Sequence, residues 1–303
     1  MIIGLFPGQG AQTPGFLSPW LELDGISERI ARYGDAAGVD LIAAGTTWDA
    51  DAIRDTRIAQ PLIVAASIAS WHALGADLSV GVAGHSVGEI AALIASGVLT
   101  EEDGMRLVGV RGRAMADAAA AVPTGMSAVL GGEEAAVLAA LSEQDLTPAN
   151  FNGGGQIVAA GTTDALAALA AQPPAGSRVV PLSVAGAFHT RFMEPAVAAL
   201  EAAVGTTPVA DPVRTLWTNS DGSVVADGRR AVELLVGQVA RPVRWDLCMT
   251  SFLERGVSGL IEFAPAGTLV GLAKRAMKGV PSVAVKTPDD LEAARELLTG
   301  AAL

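Results

Sequence analysis

A serine between two glycines is the first candidate for chemistry in this sequence. Gly84, Ser86 and Gly88 form the pattern G-x-S-x-G, between a short apolar run from Val80 and a segment with helical spacing of apolar residues. In the order strand, turn and helix, this pattern is typical of a nucleophile elbow. The glycines keep the two arms of the turn from colliding, and free N–H groups at the helix start favour developing negative charge. The pattern predicts that Ser86 is a nucleophile rather than a structural serine.

A serine nucleophile needs a general base, and the sequence offers three histidines. His189 is predicted on a loop before a helix at 191–204, and loops on rigid frameworks often carry catalytic groups. His72 lies in an apolar segment and is interpreted as structural, whereas His85 is expected to buttress the turn. His189 is therefore predicted as the base. No histidine follows it, and this order disfavours an ordinary lipase or esterase.

Arg111 interrupts the apolar stripe of a helix predicted over 101–120. Leu107 and Ala118 belong to the same stripe, so the guanidinium is expected to point into the protein. A buried charge without an anionic partner is costly. That partner could be a carboxylate of the protein or the carboxylate of a bound substrate, and the sequence leaves both open.

The composition limits the classes of function. Of 303 residues, 50% are hydrophobic and 17% are charged, which indicates a globular chain with a large core. A net charge of −12 and few aromatic residues argue against nucleic-acid binding. A single cysteine, Cys248, argues against an internal disulfide and a multi-cysteine metal site, and the three histidines lack metal-ligand spacing. We expect no metal and no bound cofactor. The sequence predicts neither a signal peptide nor a membrane span, so we expect a cytoplasmic protein, and no obvious apolar interface predicts a monomer.

The elements that must position these residues alternate between strands and helices. The apolar run 2–6 is predicted as a buried strand of a parallel sheet, and the loop 7–12 follows its carboxyl end, where such sheets bind ligands. Segment 60–76 predicts a buried helix. Short strands are predicted at 216–219 and 260–263.

The predicted elements are shorter over residues 123–187. Short elements in the order β-α-β-α-β predict an inserted α+β subdomain, with 150–155 as a loop. The large subdomain would then comprise 1–122 and 188–303.

Seven motifs occur in order along nearly the whole chain. They are Pro7-Gly-Gln9-Gly-x-Gln12, Gly84-His-Ser86-Val-Gly88-Glu89, Arg111-Gly-Arg, Asn150-Phe-Asn152, Gly186-Ala-Phe188-His189, Gln238-x-x-x-Pro242-Val-x-Trp245 and Leu269-x-Gly-Leu-x-Lys274-Arg275. Together they closely resemble malonyl-CoA:acyl carrier protein transacylases and the acyltransferase domains of polyketide synthases. The resemblance implies an α/β fold: an α/β-hydrolase-like large subdomain with a mainly parallel sheet, and an inserted ferredoxin-like α+β small subdomain.

The resemblance also implies roles for single residues. Ser86 would carry a malonyl ester, His189 would be its base, and the main-chain carbonyl of Gln238 would orient that histidine. The backbone N–H groups of Gln9 and Val87 would form the oxyanion hole.

Three further residues would face the substrate. By the same resemblance, Arg111 would bind the malonyl carboxylate, Asn152 would line the site, and Phe188 would leave little room for an α-methyl group.

The function implied is ping-pong transfer from malonyl-CoA to the phosphopantetheine thiol of acyl carrier protein, in fatty-acid or polyketide synthesis. Two alternatives are a serine thioesterase or esterase with the same Ser–His pair, and a catalytically silent scaffold. Carrier protein and CoA are both anionic, so the cations Arg178, Arg191, Lys274, Arg275 and Lys278 are candidates for a docking patch.

Overall fold

The computed structural model describes residues 1–75 and 80–300, and within these residues the chain forms two sheets surrounded by helices. The strands are β1 (Ile2–Phe6), β2 (Gly81–Gly84), β3 (Thr124–Gly131), β4 (Thr147–Gly153), β5 (Gln156–Thr162), β6 (Ser177–Pro181), β7 (Leu216–Trp217), β8 (Val224–Val225), β9 (Val243–Arg244), β10 (Gly259–Glu262) and β11 (Ser282–Ala284). The helices are α1 (Ser18–Leu21), α2 (Ile26–Ala37), α3 (Leu41–Thr46), α4 (Thr56–Leu74), α5 (Gly88–Ala95), α6 (Glu101–Ala121), α7 (Glu134–Glu143), α8 (Thr163–Ala171), α9 (Glu194–Gly205), α10 (Gly228–Gln238), α11 (Trp245–Glu254), α12 (Thr268–Ala276) and α13 (Leu291–Thr299).

The first sheet has the strand order β11-β10-β1-β2-β7-β8 and is parallel except for the β7–β8 pair. In its centre, Ile3 pairs with Leu260 on one side and with Gly81 on the other. Helices cover both faces, so the central strands are apolar along their whole length. The mainly parallel sheet predicted for the large subdomain is confirmed.

The second sheet has the order β6-β3-β5-β4-β9. Its first four strands and two helices follow the chain as β3-α7-β4-β5-α8-β6, and neighbouring strands among them are antiparallel, which is a ferredoxin-like arrangement. The predicted fold class is therefore confirmed. The fifth strand, β9, pairs parallel to β4 and comes from outside residues 123–187. The division of the chain at those boundaries stays a prediction.

The expected loop at 150–155 is wrong, because most of it belongs to β4. Asn150 pairs with Val158 of β5 and with Val243 of β9, and only Gly154 and Gly155 form the turn into β5. Proline and asparagine are poor strand formers, so β4 has no strand signal of its own. Hydrogen bonds to strands on both sides compensate for this, and the insert therefore reads β-α-β-β-α-β.

Two long helices, α4 and α6, pack against each other. The helix predicted over 60–76 begins earlier, at Thr56, and its predicted last residue, Ala76, lies outside the described residues. Asp55 caps it by accepting a hydrogen bond from the backbone N–H of Arg57. The helix predicted over 101–120 is α6, whose Thr100 cap accepts from the N–H of Asp103. These helices bring polar residues to the carboxyl edge of the sheet.

Candidate active site

Ser86 lies at a tight turn between β2 and α5, with a positive φ of 53°. The turn brings its two arms so close that a Cβ at Gly84 would lie 2.0 Å from the backbone carbon of Gly88. A Cβ at Gly88 would lie 2.1 Å from the carbonyl oxygen of Phe6. The backbone N–H of His85 donates to the same carbonyl, which ties the turn to the end of β1. Both glycines are therefore required by geometry.

The structure brings His189 against Ser86. Ser86 Oγ lies 2.7 Å from Nε2 of His189, and Nδ1 lies 2.8 Å from the main-chain carbonyl oxygen of Gln238. A carbonyl can only accept, so Nδ1 carries the proton and Nε2 presents a lone pair to the serine hydroxyl. Burial, together with the positive charge of Arg111, lowers the pKa of His189 to about 3. The ring is therefore neutral near pH 7 and can take a proton from Ser86.

Arg111 is 1% exposed and points to the same place. Its Nη1 donates to Oε1 of Gln60 (2.8 Å), and its Nη2 donates to Oε1 of Gln238 (2.9 Å) and to Ser86 Oγ (3.3 Å). Within the described part of the chain, no carboxylate forms an ion pair with it, although the charge of Glu89 acts on it. Burial lowers the pKa of Arg111 to about 10, which leaves it protonated at neutral pH. Its immediate neighbours are neutral.

A buried polar network lies behind these side chains. Glu89 accepts hydrogen bonds from the N–H of Asn219 (3.0 Å) and from Nε2 of Gln238. Burial raises the pKa of Glu89 to about 7, although these hydrogen bonds and the charge of Arg111 oppose the shift. Sequence reasoning found Gln238 but missed Asn219 and Gln60. Two features of the sequence could have indicated them: Asn219 follows a strand of the parallel sheet, and Gln60 is a polar residue within an apolar helix.

The two predicted oxyanion donors lie near the nucleophile in the chain or in space. Val87 is the N-cap residue of α5, and Gln9 lies with Ser86 in the lining of one cavity. Among the described residues, neither backbone N–H has an acceptor in the protein. The side chain of Gln9 donates 3.4 Å bonds to the carbonyl of Arg54 and the hydroxyl of Thr56, which fix the loop. Free N–H groups at this place could stabilise an oxyanion.

The cavity above Ser86 has a volume of about 250 Å³ and lies between the two sheets. Phe188 and Asn152, both predicted to face a substrate, line it. Oδ1 of Asn152 lies 2.9 Å from Nε2 of His85, whose ring also meets the edge of Trp245. Asn152 thus contacts the turn through His85. The structure brings together every residue predicted for the site.

Within residues 1–75 and 80–300, no group of three or more His, Cys, Asp or Glu side chains could hold a metal ion. Over the same ranges, no helix has the length and apolarity to cross a membrane.

The site combines a neutral histidine beside the serine of a nucleophile elbow with two backbone N–H groups that have no acceptor among the described residues. This arrangement is suited to forming and resolving an acyl ester. The fold and the site define a serine-dependent acyl-transfer enzyme. The family model described as the acyl transferase domain matches residues 5–289, and the chain belongs to this family.

Named relatives and solved structures that are similar to this chain also belong to the acyltransferase class. The malonyl CoA-acyl carrier protein transacylase of Mycobacterium tuberculosis (strain ATCC 25618 / H37Rv) is 52% identical over 297 residues, which cover 96% of this chain and 98% of that protein. The crystal structure of MCAT from Mycobacterium tuberculosis matches with a TM-score of 0.94 at 51% identity, covering 98% of this chain and 99% of that one. A type II PKS acyl-carrier protein in complex with its malonyl-transacylase has a TM-score of 0.89 for the matched chain, at 29% identity and 99% coverage of both. The predicted acyltransferase class is confirmed.

Proposed function

We propose that this acyltransferase moves the malonyl group of malonyl-CoA to the phosphopantetheine thiol of an acyl carrier protein. The observation that carries the proposal is the buried guanidinium of Arg111, whose hydrogen-bond partners are all neutral and whose Nη2 lies 3.3 Å from Ser86 Oγ. A carboxylate on the acyl group would supply the directly bonded anion that the guanidinium does not have among the described residues. The relatives described above carry the same activity in their names.

In the first half-reaction, Nε2 of His189 takes the hydroxyl proton while Oγ of Ser86 attacks the thioester carbonyl. The backbone N–H groups of Gln9 and Val87 would stabilise the resulting oxyanion. As the carbon–sulfur bond breaks, the CoA thiolate leaves and receives the proton from His189. Malonyl is then an ester on Ser86.

The second half-reaction runs in reverse order with a new thiol. Nε2 of His189 takes the proton of the phosphopantetheine thiol, the sulfur attacks the ester carbonyl, and Oγ of Ser86 leaves and recovers the proton. Arg111 holds the malonyl carboxylate throughout, and this orients the ester toward the incoming thiol and away from water. The main-chain carbonyl of Gln238 keeps His189 in the required tautomer.

Substrate selection would depend on the cavity walls. The ring of Phe188 lines the cavity and would limit space for an α-methyl group, and Asn152 would line the acyl site while supporting His85.

The carrier protein would dock around the cavity mouth. Nη2 of Arg275 donates to Oε1 of Gln156, which lines the cavity, so this cation is adjacent to the site. Arg191 forms an exposed ion pair with Asp145 and is a weaker candidate for docking. The monomeric state and the cytoplasmic location stay predictions.

Intact-mass measurement tests the proposal directly. Incubation with malonyl-CoA should give a malonyl adduct on the protein, and the Ser86→Ala variant should give none. Addition of phosphopantetheinylated carrier protein should discharge the adduct to malonyl-carrier. Free malonate as the main product in the presence of the carrier would instead indicate a thioesterase.

A further inference from the structure

We propose that Glu89 is a positioning residue for malonyl recognition, which acts through the side-chain amide of Gln238 to hold the guanidinium of Arg111 beside Ser86. The inference rests on the proposed function, because it takes the substrate carboxylate as the ligand of Arg111. It adds a residue that touches neither the substrate nor the reacting atoms.

Glu89 is buried as a hydrogen-bond acceptor on both of its oxygens. It is the second residue of α5 and is 3% exposed. Oε1 accepts from the N–H of Asn219 (3.0 Å), and Oε2 accepts from Nε2 of Gln238. Two N–H donors facing two oxygens fit the ionised carboxylate, because a carboxylic acid would place its own proton against one of them.

The partners of Gln238 fix which way its amide points. Nε2 faces three acceptors, namely Glu89, the carbonyl of Ser86 (3.2 Å) and Oδ1 of Asn219 (3.1 Å). Oε1 is therefore turned to Nη2 of Arg111, 2.9 Å away. A flipped amide would place NH₂ against the guanidinium and oxygen against the carboxylate. At pH values above its pKa of about 7, Glu89 is the one charged acceptor of this set, so it contributes most to the orientation.

Gln238 serves the two halves of the site through different atoms. Its main-chain carbonyl binds His189, and its side chain binds Arg111. Loss of the charge at Glu89 would free the side-chain amide but leave the main-chain carbonyl in place. The effect should therefore fall on recognition of the acyl carboxylate rather than on proton transfer.

Glu89→Gln tests this division. The new amide can offer either oxygen or NH₂, so it no longer fixes the amide of Gln238. The assay is single-turnover acylation of Ser86 with malonyl-CoA and with acetyl-CoA. The ratio of malonyl to acetyl efficiency is expected to fall about tenfold, the size of one weakened charge-assisted hydrogen bond.

A second variant approaches the link from its other side. Gln238→Leu removes the amide and keeps the main-chain carbonyl, so it should lower the same ratio. The double variant should lower the ratio no further than the larger single effect, because the two residues act in one chain of contacts.

Glu262→Gln is the matched control. Glu262 is also a buried carboxylate, and it accepts from the backbone N–H groups of Gly267, Leu269 and Val270 at the start of α12. Its bonds do not reach Arg111, so this variant should keep the wild-type ratio, whatever it does to thermal stability.

Three results would overturn the inference. They are an equal loss with both acyl-CoAs in Glu89→Gln, additive effects in the double variant, and a ratio shift as large in Glu262→Gln. Should Glu89→Gln fail to fold, Gln238→Leu decides alone, and an equal loss there refutes the inference. A wild-type protein that forms no malonyl ester refutes the proposed function itself, and the inference with it.

Discussion

Replacing Arg111 by alanine tests the central assignment of the site. The side chain makes hydrogen bonds to Gln60, Gln238 and Ser86, and with 1% exposure its place is not open to bulk water. Arg111→Ala therefore removes the only full positive charge within hydrogen-bond distance of the Ser86 hydroxyl among the described residues.

The expected loss follows from what a carboxylate would gain there. A hydrogen bond to a charged group contributes about 1.5–3 kcal/mol, and a guanidinium offers two parallel bonds. We take about 3 kcal/mol as the net loss of transition-state stabilisation for malonyl transfer, a value that includes the hydrogen bonds lost by the neutral partners of Arg111. This corresponds to roughly a hundredfold in rate. Acetyl has no carboxylate, so its transfer should change little or improve.

The assay is kcat/KM for malonyl-CoA and acetyl-CoA, with thermal melting as a check on folding. Arg111→Lys is the matched control, because it keeps the charge but loses the planar fork, and it should fall between wild type and alanine. If Arg111→Ala leaves the preference for malonyl over acetyl unchanged, the assignment of Arg111 to the substrate carboxylate is wrong.

Two further predictions concern folding and pH. Gly88→Ala should lose about 3 kcal/mol of stability because its Cβ would overlap the carbonyl of Phe6. Denaturant titration checks this against Gly271→Ala, whose Cβ meets no atom within 4 Å. Equal stability of the two variants would contradict the prediction. Stability should also fall as the pH drops from 6.5 toward 3, because burial lowers the pKa of His189 to about 3 while the unfolded chain takes up the proton near 6.5. His189→Gln should lose less stability over this interval, and an identical pH dependence would refute that origin.

The nucleophile turn could be predicted because its causes are local. Glycines at 84 and 88 are required by atoms within the turn and at the end of β1, so the pattern and the geometry coincide. The inward direction of Arg111 also follows from helical spacing. The partners of Arg111 could not be predicted in this way, because Gln60 and Gln238 lie 51 and 127 residues away along the chain.

Strand β4 shows where sequence reasoning ends. Its residues have low strand propensity, and its conformation depends on hydrogen bonds to β5 and β9. The link from Glu89 to Arg111 through Gln238 depends in the same way on tertiary contacts. Such contacts leave no period or motif in a single sequence.

The central position of β1 has a consequence for synthesis of the protein. Ile2 pairs with Gly259, which lies 257 residues further along the chain, so β1 has no partner on this side until β10 has been synthesised. Until then an apolar strand edge stays exposed, and non-local parallel pairing is slow to form. A chain that stops before β10 would contain Ser86, His189 and Gln238 and still lack half the support of the strand that leads into Gln9. Premature termination would therefore yield an aggregation-prone fragment rather than a weakened enzyme.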